Sequence, residues 1–553
     1  MADCNVKSSN GRLSKNADVE GVSKQEKISQ FRKSLPQYLA AFAKSLLLLD
    51  LGMIIAFPTI VIPPLLNAKE GLHFTKTQAS WFGSIVYFIQ PLGSLFGAAT
   101  LDFLGRRRSM LLLNVPFFIC WASLYYADSV DLLFLISIIM GLGIGSIEAS
   151  ILTYVGEVSE PRLRGVLTSM AEIAEYMGFV FIFFIGTITD WRTCAAISSL
   201  IPIISAFAIW QIPDTPIWLL SRGRTDEALK ALCWLRGWVK PEEVQIEFDE
   251  IVRYSHASKL LVKVPSTTNL ENNSYKNPAL SITEEEISEK YKEPKGEQLK
   301  TENECTKKVD FNIDSSNCDD PFDYEKLSFK DKLIDFFRPE MMRPMFMVCS
   351  FFFFTYGSGM LAIRPYTVPV FEQLGFSMDP YLATAVFTAI GLVGCVLCTV
   401  TVQCLGKRPL ALISIAGCGI SCLSLGAYAF YVEDYRANNH FAWIPMLMMI
   451  ALTFFTGIGM DPLPWMYLSE VFPFRGRSLA SGVAAGVSYI FGFIVTKTFL
   501  GLEVTLTLAG VFFLYGGCSV VGFIFFYFYL PETEGKTMED IEESYKTKSK
   551  LVR

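Results

Sequence analysis

Six charged residues lie inside long apolar stretches of the 553-residue chain, where ionised groups are costly. They are Asp50, Glu148, Glu172, Glu175, Arg364 and Asp461. On insertion scales a charge at the centre of a bilayer costs about 2.5–3.5 kcal/mol, and such residues usually face a cavity or a partner. Glu172 and Glu175 are three positions apart and therefore share one face of a helix. We expect the set to line an internal pathway, where carboxylates can bind a solute or accept protons; the alternative is that these charges only brace the helices.

Apolar stretches of the chain must position these residues, and their lengths identify the elements. Charged residues make up 18% of the chain, against about 25% in soluble proteins. Stretches with few or no charges fall at 45–65, 77–101, 109–127, 132–155, 166–189 and 193–213, and again at 344–363, 380–403, 409–432, 437–468, 478–496 and 504–531. A bilayer needs roughly 20 apolar residues per crossing, and at this length only helices satisfy the backbone in lipid. The sequence therefore predicts an all-α membrane protein with twelve transmembrane helices in two six-helix halves.

Basic residues in the short loops predict the orientation of these helices. Clusters of Arg and Lys follow the second, fourth, eighth and tenth stretches, at 106–108, 162–164, 407–408 and 475–477. Because cytoplasmic loops carry an excess of Lys and Arg, we expect these loops and both chain termini to be cytoplasmic. A multi-pass protein of the plasma membrane is expected.

The predicted domain order follows from the same stretches. It runs as an N-terminal tail at 1–35, a first bundle at 36–213, a cytoplasmic loop at 214–343, a second bundle at 344–531 and a C-terminal tail at 532–553. Within the loop, apolar residues at helical spacing predict a helix over Thr225–Trp238. Residues 258–325 are rich in Glu, Lys, Asn and Ser, and we expect a solvated insertion there.

Several classes of protein are not supported by the composition. The net charge of −6 gives no basic surface for nucleic acid. The 13 cysteines lie in apolar runs or in predicted cytosolic segments, so they do not indicate a disulfide framework. No nucleophile, metal cluster or phosphate-binding loop stands out. We therefore expect neither an enzyme nor a bound cofactor or metal.

Five loop motifs, in chain order, resemble those of one family, the sugar porters of the major facilitator superfamily. They are DFLGRR at 102–107, YVGE at 154–157 followed by Arg164 and Gly165, PDTPIWLL at 213–220, PLPW at 462–465 followed by Glu470 and Arg477, and PETEGKT at 531–537. The resemblance implies the major facilitator fold and transport of a small polar solute by alternating access. The implied solute is a sugar such as trehalose or a hexose, and the run AIRPYTVPVF at 362–371 is similar to a trehalose-carrying branch of the family.

The same resemblance implies a gate on the cytoplasmic side, built from charged residues at helix ends. Its members are Asp102, Arg106, Arg107, Glu157, Arg164, Lys407, Arg408, Glu470 and Arg477. Charge-assisted links between such residues would hold that side shut when the cavity faces outward. The usual excess of Lys and Arg in cytoplasmic loops explains the basic residues of this set, but it does not explain Glu157 and Glu470. The second-half counterpart of Asp102 is Gln403, so that half lacks one acid.

At the substrate site the family pattern is only partly retained. Residues predicted to contact the solute are Glu172, Glu175, Tyr356, Asp461, Trp465 and Tyr489. Glu172 stands where the family has a glutamine, and residues 355–361 lack the family's amides. Asp461 lies between Gly459 and Pro462, where we expect the helix to be broken.

Three hypotheses of function follow from this divergence. The first is a sugar carrier. The second is a proton-coupled or cation-selective carrier, since the cavity is rich in acids and a proton could serve as coupling ion. The third is a non-transporting nutrient sensor that signals through the insertion at 258–325.

Overall fold

The computed structural model describes residues 30–262, 337–376, 378–432, 443–472 and 477–536. Within these ranges the protein is helical and contains no β-strand. The predicted tails at 1–35 and 532–553 lie mostly outside the described residues, as does the predicted insertion, of which only 258–262 is described, as the end of a helix. The predicted domain boundaries stay predictions.

The first half of the chain forms seven helices and leads into three further ones. They are α1 Gln30–Leu66, α2 Lys76–Leu104, α3 Arg106–Tyr125, α4 Val130–Val158, α5 Pro161–Ile188, α6 Trp191–Ser198, α7 Leu200–Gln211, α8 Pro216–Ser221, α9 Thr225–Leu235 and α10 Pro241–Val262. α6 and α7 follow each other directly and correspond to one predicted span. The helix predicted over Thr225–Trp238 is α9, three residues shorter at its end.

The second half contains eight α-helices, one 3-10 turn and one π-helical turn. They are α11 Pro339–Gly357, α12 Met360–Ile363, a 3-10 turn at Arg364–Tyr366, α13 Thr367–Leu374, α14 Pro380–Leu405, α15 Lys407–Val432, α16 Trp443–Phe455, a π-helical turn at Thr456–Met460, α17 Pro462–Glu470 and α18 Arg477–Tyr529. The seventh predicted span, which was expected to end at 363, is bent by 49° after Gly357 and continues to Leu374.

Side-chain caps define where several helices begin. Thr75 and Gln78 form a capping box at the start of α2, and Ser129, Asp190 and Asp379 accept hydrogen bonds from the first backbone N–H groups of α4, α6 and α14. Such oxygens satisfy donors that the first turn of a helix leaves free. The caps fix helix ends on the face opposite the predicted cytoplasmic face.

The number of membrane crossings is close to the predicted twelve. Nine helices in the described ranges are long and apolar enough to cross a membrane, or ten if the bent pair around Gly357 is one span. α18 has 53 residues with non-helical backbone at Thr507, so it is two helices, each long enough for one crossing. α2, with 29 residues, is about 44 Å long at 1.5 Å per residue. These lengths support twelve crossings, which stays a prediction.

The two halves meet along a seam where α5 packs against α14 and α2 packs against α18. Helices inside each half approach closely through glycines, as expected where a bilayer supplies no hydrophobic drive between helices. A Cβ added at Gly178 of α5 would collide with the carbonyl oxygen of Leu49 on α1. A Cβ at Gly145 of α4 would collide with the carbonyl of Gln90 on α2.

Gly178→Ala should therefore destabilise the first half, because α1 and α5 must separate to admit the methyl group. Overpacking of this kind costs about 1–3 kcal/mol. We expect a lower melting temperature of the purified protein in detergent. The matched control is Gly517→Ala in α18, where an added Cβ meets nothing within 4 Å. An equal fall in both variants would contradict the close-packing explanation.

Candidate functional site

A hydrogen-bonded ion pair lies at the seam and includes residues from both halves. The Arg364 Nη2 atom is 3.3 Å from the Asp461 Oδ2 atom. The hydroxyl of Tyr176, on α5 of the first half, donates a hydrogen bond to the same Asp461 oxygen. The Arg364 guanidinium also lies 4.2 Å from the ring centroid of Phe179 on α5. Two side chains of the second half are thus held against one helix of the first.

Two irregular turns of the second half position this ion pair. Gly359 adopts φ 96° before α12, a conformation that favours glycine, and Arg364 follows in the 3-10 turn. Asp461 comes directly after the π-helical turn, and its N–H donates to the Thr456 carbonyl at 3.0 Å. We expected the helix to be broken between Gly459 and Pro462. The backbone instead remains helical there, and the regular α-helix is interrupted by the wider π-helical turn at Thr456–Met460.

The predicted glutamates gather around this ion pair. Glu172 and Glu175 on α5 interact electrostatically with each other and with Asp461. Glu172 also interacts with Glu148 on α4. Glu148 also interacts electrostatically with Glu175. The Nε2 of Gln90 on α2 donates to the Glu148 Oε1 atom at 3.0 Å. The structure thus places four carboxylates together at the seam.

Lys44 belongs to the same group, although the sequence analysis missed it. It lies on α1, is 1% exposed, and its Nζ is 3.5 Å from the Leu167 carbonyl oxygen on α5. It interacts electrostatically with Glu172. The first apolar stretch was taken to begin at 45, whereas α1 begins at Gln30 and carries Lys44 through its interior. We refer to the group as the central cluster, which comprises Lys44, Glu148, Glu172, Glu175, Tyr176, Arg364 and Asp461.

Tyr176 was also missed, and its spacing could have identified it. It lies four residues after Glu172, so both side chains project from the same face of α5. The ring of Tyr176 lies over Gly391 of α14, where an added Cβ would be 3.1 Å from the Tyr176 Cε1 atom. Small residues on α14 therefore make room for an aromatic donor from the other half.

Asp50 is not part of the central cluster. It is fully buried on α1, and its Oδ1 atom accepts a hydrogen bond of 2.8 Å from the indole Nε1 of Trp121 on α3. Both helices belong to the first half. Asp50 therefore fits the alternative in which a charge only braces the helices. The structure brings the other five predicted charges together at the seam: Glu148, Glu172, Glu175, Arg364 and Asp461.

The three predicted aromatic contacts lie in the second half, around Phe352. The Trp465 ring is 5.0 Å from Phe352 and 6.2 Å from Tyr489, measured between centroids. Tyr489 is 3% exposed, so its ring is packed inside the bundle. Tyr356 lies 6.1 Å from Phe352 and interacts electrostatically with Glu148 and Asp461. Tyr356 therefore connects the aromatic group to the central cluster.

A second charged site lies at the predicted cytoplasmic face of the first half. The Arg106 guanidinium bonds to the Glu157 Oε1 atom through Nε at 3.0 Å and Nη2 at 2.6 Å. Asp214 accepts from the backbone N–H groups of Arg107 at 3.3 Å and Thr215 at 3.0 Å. Tyr154 donates to the Pro213 carbonyl at 3.1 Å. Burial raises the pKa of the Asp214 carboxyl, which lies between spans.

The second half repeats this arrangement with different residues. The Lys407 Nζ atom lies 2.7 Å from both a Glu470 and a Glu534 carboxylate oxygen. Glu532 accepts from the backbone N–H groups of Lys407 and Arg408, each at 3.0 Å. Tyr467 donates to the Pro531 carbonyl at 2.7 Å. The repeat was expected from the matching motifs, but Asp214, Glu532 and Glu534 were not singled out, although they lie inside the PDTP and PETE motifs.

Both arrangements begin with a glycine that has positive φ. Gly105 has φ 88° and Gly406 has φ 83°, which lets α3 and α15 start directly after the preceding helix ends. Asp214 and Glu532 then accept hydrogen bonds from the first N–H groups of these helices, where negative charge is also favoured by the helix dipole. Each acid therefore caps the helix that follows one short turn on the predicted cytoplasmic side.

Some predicted gate residues have other partners than expected. Arg107 donates to the carbonyl oxygens of Ile209 and Trp210 at the end of α7, and Arg408 donates to that of Tyr527 near the end of α18 at 2.6 Å. They bind helix C-termini inside their own halves, where a cation meets the negative end of the helix dipole. The side chains of Asp102, Arg164 and Arg477 lie outside the described residues.

No group of three or more His, Cys, Asp or Glu side chains arranged to hold a metal ion occurs in the described ranges. The cysteines in the described ranges are free, and Cys395 and Cys398 are buried on α14. The central cluster therefore offers carboxylates, phenols and two cations as its chemical groups. Such groups can bind hydroxyls, amines or protons.

Solved structures with the same fold are transporters. The chain matches the proton:xylose symporter XylE bound to 6-bromo-6-deoxy-D-glucose with 20% identity and a TM-score of 0.59, over 93% of this chain and 98% of that one. It matches an inward-open conformation of the xylose transporter XylE from E. coli with 17% identity and a TM-score of 0.63, over 93% and 99% of the two chains. These similarities confirm the two-halved helical fold predicted from the sequence.

Sequence comparisons lead to the same group of proteins. The facilitated trehalose transporter Tret1 of Culex quinquefasciatus is 26% identical over 511 residues, which are 92% of this chain and 85% of that protein. The Tret1 of Apis mellifera ligustica is 26% identical over 526 residues, 94% and 90% of the two chains. The model of the family described as "Sugar (and other) transporter" matches residues 24–282 and 297–545. The chain belongs to this sugar transporter family.

Proposed function

We propose that the protein carries a sugar across the membrane by alternating access between its two halves. The observation that supports this most directly is the bond from Tyr176 of the first half to Asp461 of the second, in the middle of the seam. Solute sites in such folds lie near the bilayer midplane between the repeats. Relatives named as trehalose transporters and a structure with a bound bromo-deoxyglucose support a sugar as the solute.

Links between the halves lie on the face opposite the predicted cytoplasmic face. Thr59 of α1 donates to the Arg364 carbonyl at 2.7 Å, and Ser80 of α2 donates to the Lys497 carbonyl of α18 at 2.7 Å. The Lys497 ammonium lies 4.3 Å from the Trp81 ring centroid. These contacts close the seam on that side in this conformation.

Alternating access requires these links to part while each half moves as a unit. The pairs Arg106–Glu157 and Lys407–Glu470 join helices within one half, which stiffens the predicted cytoplasmic ends of each bundle. Rigid bundles can then rock about the solute. The gate role of the predicted residues is part of this proposal, as are the cytoplasmic termini, the plasma membrane location and the absence of a catalytic step.

Proton coupling is a second candidate for the mode of transport. Four carboxylates of the central cluster interact electrostatically with one another, and like charges at close range favour proton uptake by one of them. Two of the similar structures are titled as proton symporters of xylose. The sensor hypothesis has no such support, since the relatives are transporters.

An uptake panel with trehalose, glucose and a polyol tests the proposed function in oocytes that express the full chain. Glu172→Gln restores an amide that can donate to a sugar hydroxyl, so we expect sugar uptake to rise about two- to tenfold, the range of one hydrogen bond. The control is Glu372→Gln, an exposed glutamate on α13, which should leave uptake unchanged. Wild-type protein that moves no member of the panel above background would contradict the proposal.

A pH gradient tests proton coupling in proteoliposomes. If a carboxylate of the central cluster moves a proton with the solute, an acidic exterior should accelerate uptake severalfold over a symmetric pH. Glu175→Gln should abolish this acceleration, whereas Glu372→Gln should keep it. Equal rates of wild-type uptake with and without the gradient would show that transport is uncoupled from protons.

Charge reversal tests the pair Arg106–Glu157, whose side chains are about one-seventh exposed. Glu157→Arg leaves two cations together and should lower both melting temperature and uptake, since breaking a buried pair costs about 3–5 kcal/mol. The double reversal Arg106→Glu/Glu157→Arg should recover part of both. The same exchange at the exposed pair Arg224–Glu227 should change stability by about 1 kcal/mol or less. A double reversal no better than the single variant would argue against a pair that acts as a link.

A further inference from the structure

The central cluster contains more acidic than basic side chains. Its carboxylates are Glu148, Glu172, Glu175 and Asp461, and its cations within the described residues are Lys44 and Arg364. Arg364 is engaged by Asp461 at 3.3 Å, and Lys44 interacts electrostatically with Glu172. Glu175 shares the Arg364 guanidinium with Asp461, whereas no cation among the described residues interacts electrostatically with Glu148.

Two buried oxygen atoms beside these glutamates have no donor. Glu148 uses its Oε1 atom to accept the Gln90 hydrogen bond. The Glu148 Oε2 and Gln90 Oε1 atoms are both buried without a hydrogen-bond partner among the described residues. Gln90 is only 2% exposed, so bulk water does not reach it freely. A buried acceptor without a donor costs about 1–3 kcal/mol, which a ligand that donates can recover.

The chemistry of the missing group follows from these acceptors. A proton on Glu148 would satisfy one carboxylate but would leave the Gln90 oxygen without a donor unless another group is added. A neutral hydroxyl donates one hydrogen bond and leaves the excess charge in place. A protonated amine carries three donors and one positive charge, which matches Glu148 Oε2, Gln90 Oε1 and the charge of Glu175.

We propose that the solute is an amino sugar whose ammonium group binds between Gln90, Glu148 and Glu175. This inference rests on the proposed function, which supplies the sugar, and adds the charge that the solute carries. Tyr87 and Tyr356 interact electrostatically with Glu148 and supply phenolic groups for the ring hydroxyls. Charge-assisted hydrogen bonds to the ammonium are roughly twice as strong as neutral ones, so the amine is the group that the site selects.

Competition between matched sugars tests the inference in proteoliposomes that contain the purified full chain. Glucosamine is the cationic probe, glucose is the neutral probe of similar size, and N-acetylglucosamine is a neutral amide that is larger by an acetyl group, all at one pH and one ionic strength. We expect glucosamine to enter about tenfold faster than glucose at low concentration, the effect of one charge-assisted hydrogen bond.

Variants then connect the preference to the named residues. Glu148→Gln can keep the hydrogen bond with Gln90 while removing one charge, and Glu175→Gln removes the other. Each should lower the ratio of glucosamine to glucose uptake about tenfold, whereas Glu372→Gln should leave the ratio unchanged. A monodisperse gel-filtration peak for each variant shows that it folds. A ratio unaffected by both cluster variants would overturn the proposal.

The outcomes separate this inference from the proposed function. Uptake of glucose or trehalose together with rejection of glucosamine overturns the amino-sugar inference and supports sugar transport. Uptake of a simple amine such as ethanolamine, with no sugar transported, overturns both the sugar function and the amino-sugar inference. Uptake of glucosamine that depends on Glu148 and Glu175 supports both.

Discussion

Unsatisfied polar groups are costly inside a bilayer, and the bonds of Tyr176 and Arg364 to Asp461 satisfy three such groups at the seam. The three side chains come from α5, the 3-10 turn and the start of α17. Because the bond from Tyr176 to Asp461 joins the halves, any movement that separates them must give the Tyr176 hydroxyl a new partner. Water or a polar solute can supply that partner, which couples solute binding to the relative position of the halves.

Each half also contains its own copy of a rigid corner. An acid at the end of the sixth or twelfth predicted span caps α3 or α15, and a tyrosine from a neighbouring helix donates to the proline carbonyl beside it. The first half closes this corner with an arginine and the second with Lys407, which holds two carboxylates. The two halves therefore share this arrangement of an acid, a helix start and a tyrosine, although the cation that completes it differs.

The fold and most of the charged positions were predictable because lipid restricts sequence so strongly. Apolar length identified the helices, and the cost of intramembrane charge identified five members of the central cluster. Lys44 was missed because a single lysine near the end of an apolar run looks like a flanking residue. The partners of Arg107 and Arg408 were not predictable, since they bind backbone carbonyls and no residue type marks such an acceptor. Asp50 was grouped with the cluster because sequence alone does not show which neighbour a helix face meets.

The π-helical turn at Thr456–Met460 has a consequence for the geometry of the whole tenth span. The π-helical turn contains one residue more than an α-helical turn. Every side chain beyond it is therefore rotated by about 100° relative to its position in a regular α-helix. Without that residue, Asp461 would leave its position beside Tyr176, and Trp465 would leave Phe352. A single-residue insertion in a helix thus determines which side chains of the second half face the first.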